Sequence, residues 1–290
     1  MPPHAQKGAV MTYALRANLN QEEPSSLSFF TTGDGVKIAY RIDGSADLPA
    51  LILANSIATT LHMWDGEIAE LSKHFRVIRY DYRGHGGSDV PVGAYSDGRL
   101  GRDVLELMDH LCIERAHFMG LSLGGFIGQW LAIHAPERID RLVLANTASH
   151  LGPADYFDSA IRKVLAAQDM TETAEGFLHN WFPLAMMEAN GPVIRKFRQD
   201  LLDTPRQGLA GLFAAVRDAD LRRTIALIQS PTLVIGGEFD TVTSYAMSEA
   251  IAAGIPGARL KSFPAVHLTN VEFPKEFVEE VLAFLKSDRA

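Results

Sequence analysis

Cysteine is almost missing from this sequence, with one thiol, Cys112, among 290 residues. A single cysteine excludes intramolecular disulfides. It lies in an apolar helix-end context with no suitable histidine partner, so it reads as a packed core residue and not a nucleophile. Long apolar runs are missing too. No stretch approaches the roughly 18 apolar residues that a membrane-crossing helix requires. Positive charge is in deficit, with 27 Lys and Arg against 35 Asp and Glu and a formal charge of −8. That balance argues against nucleic acid or an anionic membrane as a partner, and an anionic substrate would need local cations to overcome it. There is no phosphate-cradling loop, no metal-ligand spacing and no dinucleotide fingerprint, so neither cofactor nor metal is implied. Repeats and low-complexity tracts are lacking as well. Residues 1–26 carry charge and proline but no apolar core of a secretory signal. They read as a loosely ordered extension, with Met11 as an alternative start and the cytoplasm as the expected compartment.

What is present is an alternation of short apolar strands with helices. Strands are expected at 28–31, 36–42, 50–54, 76–81, 116–119, 140–145, 231–237 and 259–263. The first two form a hairpin through Thr32-Gly33-Asp34-Gly35. Helical spacing covers 63–75, 100–111, 126–134 and 274–286. Such alternation predicts an α/β fold, a mostly parallel eight-stranded sheet with helices on both faces and an antiparallel edge from the opening hairpin. From 150 to 228 the rhythm breaks into helical patterns (156–167, 174–182, 193–202, 208–216 and 221–228) without a convincing strand. The expected organisation is a core of 27–149 and 229–290 with a helical lid, 150–228, over the carboxyl end of the sheet, where open α/β sheets bind ligands.

The chain is organised around Gly120-Leu121-Ser122-Leu123-Gly124-Gly125. The pattern G-x-S-x-G arises by chance in roughly one chain of this length in ten, so its context decides: an apolar strand runs into it and a helix leaves it. Gly120 and Gly124 leave room for a strained turn that pushes the Ser122 hydroxyl outward, and the Leu123 amide at the helix start faces developing negative charge. A serine needs a base and the base needs an orienting carboxylate. Asp240 follows an apolar strand on the same sheet edge, with Glu238 as its nearest competitor. His267 follows the last strand, with His85, in the turn Arg83-Gly84-His85-Gly86, as its rival. The resulting order of serine, aspartate and histidine is that of α/β hydrolases. Trp130, two turns past the serine, either packs in the core or touches substrate. Trp181, Phe182, Met186 and Met187 either line a pocket or pack the lid. His150 opens the lid within reach of substrate.

Sheet, serine turn, lid position and residue order together resemble the α/β-hydrolase family across residues 27–286. Within it the sequence is similar to 3-oxoadipate enol-lactonases. The similar segments are Asn55-Ser56 with Thr59 to Asp65, Arg79 to Gly86, Gly120 to Gly125 with Gln129-Trp130-Leu131, Ala145 to Ala148, Ala215 to Asp220 and His267 to Asn270. The resemblance implies a serine esterase that hydrolyses a small anionic enol-lactone in aromatic-compound catabolism, and it makes the Ile57 amide the second oxyanion donor. It also offers Arg217 as the cation for a substrate carboxylate, against the alternative of an ion pair with Asp218 or Asp220. One departure stands beside the serine: enol-lactonases usually carry Leu-Gly where this chain has Ile57-Ala58, which narrows the loop's conformations. Carboxylesterases, other lactonases and C–C bond hydrolases share the triad, and a ligand receptor is a non-enzymatic alternative. A haloalkane dehalogenase would need aspartate in place of Ser122.

Overall fold

A computed structural model describes residues 27–287; the extension expected over 1–26 lies outside them. Eight strands form one sheet: β1 (Ser28–Thr31), β2 (Lys37–Asp43), β3 (Ala50–Ala54), β4 (Arg76–Tyr80), β5 (Ala116–Leu121), β6 (Ile139–Ala145), β7 (Thr232–Gly237) and β8 (Arg259–Phe263). Their spatial order is β1-β2-β4-β3-β5-β6-β7-β8. Only the β1/β2 and β2/β4 pairings are antiparallel; the rest run parallel. Every residue of β5 and β7 is buried, which is why these segments read as mostly apolar runs, interrupted in β5 by His117, and not as alternations.

The order has one functional consequence. After β3 the chain steps outward to β4, then returns across β3 to place β5 on its other side. This reversal opens a crevice beyond the carboxyl ends of β3 and β5, the usual ligand position in open α/β sheets. The loop after β3 and the turn after β5 face each other there, in register through Ala54↔Gly120.

The helices are α1 (Asp65–Leu71), α2 (Asp97–His110), α3 (Leu123–His134), α4 (Ala154–Ala166), α5 (Thr171–Trp181), α6 (Leu184–Ala189), α7 (Pro192–Leu202), α8 (Arg206–Asp218), α9 (Tyr245–Gly254), α10 (Thr269–Glu272) and α11 (Pro274–Leu285). They cover both faces of the sheet; α2 packs on α3, and α1 on α11. Between β6 and β7 the described chain holds five α-helices, α4 to α8, and no strand.

Four expectations need correction. The helix expected over 63–75 is a 3-10 turn, Leu61–Trp64, followed by the shorter α1. The one expected over 221–228 shrinks to a 3-10 turn at Ile225–Leu227. There Leu221 N donates to Ser149 O at 2.7 Å, and Asp220 bridges His150 in antiparallel fashion, so the backbone is spent on a tertiary clamp. Helices α6, α9 and α10 are additions that the apolar spacing did not disclose. Cys112 is exposed, not packed. It holds φ +53° after α2 while Ile113 N reaches back to Met108 O, so Ile113 takes the buried place and the thiol turns outward.

Candidate active site

Ser122 sits between β5 and α3 with φ +56° and ψ −115°. That region is unfavourable for a residue with a Cβ, and such strain persists only where the surroundings enforce it. The enforcement comes from close backbone approach. A Cβ on Gly120 would collide with the Gly124 carbonyl in the first turn of α3, and a Cβ on Gly124 would collide with the Ala54 carbonyl of β3. Ser122 N donates to Ala145 O at 3.0 Å and Gly124 N to Asn55 O at 3.0 Å. The turn is thereby pinned to both neighbouring strands' loops. The Leu123 amide belongs to the first helical turn, whose N–H groups lack intrahelical acceptors. Ile57, on the loop after β3, and Leu123 both line a cavity beside Ser122.

Asp240 follows β7 and His267 follows β8. Their side chains are almost wholly buried and meet at 2.9 Å between His267 Nδ1 and Asp240 Oδ2. The carboxylate is saturated with donors. Oδ1 accepts from the Val242 and Thr243 amides at 2.8 and 3.0 Å, and Oδ2 from Thr243 Oγ1 at 2.8 Å and Asn146 Nδ2 at 3.1 Å. Burial alone would raise its pKa, but the charge and hydrogen bond of His267, with the bonds from Asn146 and Thr243, hold it down at about 2. The 2.9 Å contact to an ionised Asp240 places a proton on His267 Nδ1 and turns Nε2 away from the carboxylate as the nitrogen that can exchange a proton with a substrate or nucleophile. That buried nitrogen has no hydrogen-bond partner among the described residues. His267 and Ser122 line the same cavity. The competitors fall elsewhere: Glu238 is exposed, and His85 is fully buried away from the cavity, its pKa pushed down to about 4 by burial.

The cavity measures about 530 Å³. Its walls are largely apolar and include the aromatic rings of Phe126 on α3, Phe157 on α4, Phe177 and Trp181 on α5 and Phe213 on α8. Phe177 and Phe213 stack with centroids 6.2 Å apart. Trp181 is held over the site where its carbonyl accepts from Leu268 N, next to His267.

The model of the alpha/beta hydrolase fold family matches residues 49–274. The chain belongs to the α/β-hydrolase family. Among curated relatives of this hydrolase is 3-oxoadipate enol-lactonase 2 of Acinetobacter baylyi, 39% identical over 88% of this chain and 95% of that one. A crystal structure described as a hydrolase from Pseudomonas aeruginosa is 60% identical, covering 90% of this chain and 98% of its own, with a TM-score of 0.89. The enol-lactonase of Burkholderia xenovorans is 38% identical, covers 90% and 100% respectively, and superposes with a TM-score of 0.87.

Three side chains expected to contact substrate in this hydrolase lie off the cavity lining. Trp130 packs over Gly101 of α2 and stacks on His134 with centroids 4.5 Å apart. His150 places Nδ1 at 3.1 Å from Ala219 O, clamping the two ends of the helical segment together. Arg217 is committed twice, to Asp158 and to Asp218, each at 2.7 Å. The physical reason is shared: each found a partner within its own layer. Of the aromatic and methionine candidates, Trp181 lines the cavity, whereas Phe182 packs on Phe197, and Met186 and Met187 pack against the core. Sequence reasoning passed over Asn146 and Thr243, which hold Asp240. Asn146 lay within a quoted similar segment, and Thr243 follows Asp240 by three residues, a spacing that suits an Asx-type cap.

Proposed function

We propose that this hydrolase opens a small carboxylate-bearing enol-lactone of the 3-oxoadipate type, in aromatic-compound catabolism, through an acyl-enzyme intermediate. The observation that carries the reading is the free acceptor nitrogen of His267, oriented by Asp240, on the cavity that also holds strained Ser122. In this mechanism His267 Nε2 takes the Ser122 proton as Oγ attacks the lactone carbonyl. The Leu123 and Ile57 amides receive the oxyanion. Ring opening expels the enolate oxygen, which is protonated by His267 and tautomerises to a ketone. Water, deprotonated by the same nitrogen, then releases the acid and restores Ser122. The relatives named for enol-lactones supply the substrate class. Residues 150–228 act as the lid, with α4, α5 and α8 excluding water from the acyl-enzyme.

Replacing Ser122 by Ala should lower kcat for enol-lactone opening by about a thousandfold or more, with folding intact by circular dichroism. Near-full turnover in that variant would reject the serine mechanism. The breadth and apolar walls of the cavity favour a second reading, a carboxylesterase or C–C bond hydrolase with the same triad. Side-by-side assay of the enol-lactone, a p-nitrophenyl ester and a vinylogous diketone separates these.

A further inference from the structure

A carboxylate cannot be left bare in a largely apolar cavity without a large desolvation cost, so an anionic substrate needs a receptor. Arg217 does not supply one, because both faces of its guanidinium fork are taken by Asp158 and Asp218. Among the described residues one Lys or Arg lines the cavity: Lys163. It projects from the face of α4 that also presents Tyr156, Phe157 and Ala160 to the cavity, one turn beyond Ala160. Opposite it stands Glu172 of α5, 2.6 Å from Lys163 Nζ, and this glutamate lines the cavity as well. Both side chains are largely exposed, 60% and 79%. An ion pair in that setting is weak and readily exchanged.

We infer that Lys163 is the receptor for the substrate's carboxylate, with Glu172 as its placeholder partner when the cavity is empty. The inference rests on the enol-lactone reading above and deepens it. Its geometry fixes the direction of binding. Trp181 and Glu172 are nine residues apart on α5, about 13 Å along the axis. Trp181 lies at the end of the cavity beside His267, where its carbonyl accepts from Leu268 N, and Glu172, 79% exposed, lies at the solvent end. A lactone whose carbonyl meets Ser122 therefore points its acid arm along the aromatic walls toward the mouth. The flexible stem of Lys163 swings in to meet it. The incoming carboxylate displaces Glu172, which returns to water at little cost because it is exposed. The acidic background of the chain, −8 overall, makes this local cation the feature that admits an anion.

The test compares 3-oxoadipate enol-lactone with α-angelica lactone, the same unsaturated ring bearing methyl in place of the carboxymethyl arm. Wild type should show the lower KM for the carboxylate-bearing lactone. Lys163→Met should raise that KM about tenfold or more while kcat and the KM for α-angelica lactone stay within about twofold. Glu172→Gln, which removes the competitor but not the receptor, should lower the KM for the carboxylate lactone and leave the neutral one alone. If wild type discriminates between the lactones and Lys163→Met leaves that discrimination unchanged, or shifts both lactones equally, Lys163 is not the receptor. If wild type opens both with the same KM, or neither while it cleaves p-nitrophenyl esters, the substrate reading itself has failed and the inference falls with it. Both variants sit on exposed positions, and α-angelica lactone turnover reports that the fold and the nucleophile remain intact.

Discussion

Ala58 and Ser122 both hold positive φ, 59° and 56°, in a region that costs a residue bearing a Cβ about 1–2 kcal/mol. For Ser122 the cost aims a hydroxyl at the cavity and has no cheaper substitute. Ala58 has one, since glycine takes this conformation freely, which fits the glycine usual there in the enol-lactonases that the sequence resembles. Ala58→Gly should therefore raise the free energy of unfolding by up to about 1 kcal/mol in urea titrations; a loss of similar size would show that the buried methyl outweighs the backbone. Asp240→Asn bears on the site itself. An amide NH2 must replace one carboxylate oxygen and will face existing donors: the Val242 and Thr243 amides on one side, or Asn146, Thr243 and His267 on the other. The imidazole then loses its orienting acceptor, and kcat should fall about 10³–10⁴-fold, with a lower melting temperature from the buried donors left facing an amide NH2 but the fold retained by circular dichroism. A drop below tenfold would reject the role given to the carboxylate. The positions of residues 122, 240 and 267 were legible because each follows a strand that ends at one sheet edge, even though β8, before His267, is a mostly exposed edge strand. Asn146 and Thr243 were not, because their use lies in pointing donors at a carboxylate far away in sequence.

Strands were the most legible elements, since burial on both faces writes itself as a continuous apolar run in β3 and a mostly apolar one in β5 and β7. Helices were legible where one face meets a core, as in α2, whose buried Leu100, Val104, Leu107 and Met108 repeat at helical spacing. Helix α6 buries no residue fully, so its sequence carries no stripe to read. Side-chain partners across the helical segment were the least legible. Arg217 has the chemistry of an anion receptor, and only the packing of α8 on α4 turns it toward Asp158. Its pairing makes it a brace between helices. Arg217→Met should leave the KM for the carboxylate lactone within about twofold and lower the melting temperature slightly. A selective rise in that KM would return the receptor role to Arg217 and remove it from Lys163.

For the whole molecule, stability against pH turns on carboxyl groups that folding buries. Asp81, Asp103 and Glu272 are raised chiefly by burial, while Asp34, bonded to Arg83, is lowered. Glu67 on α1 is pushed up from 4.5 to about 8, chiefly by burial. It shares one hydrogen bond with Asn270 of α10, at 3.3 Å, and its Oε2 is without a partner among the described residues. Below its ordinary pKa both folded and unfolded chains carry the proton, and the group imposes no ionisation cost. Between 4.5 and about 8 the folded chain keeps a proton that the unfolded chain releases, so stability falls as pH rises, by at most about 1.4 kcal/mol per pH unit. Above 8 the penalty is complete. Gln in this position preserves the shape and the contact to Asn270 but never ionises. Urea unfolding of wild type and Glu67→Gln from pH 5 to 9 should give curves that lie close together at pH 5 and separate progressively, with the Gln protein the more stable at pH 9. Parallel curves over that range would mean that Glu67 is already charged in the folded chain and that Asn270 and the interior polar groups near it carry its charge without cost.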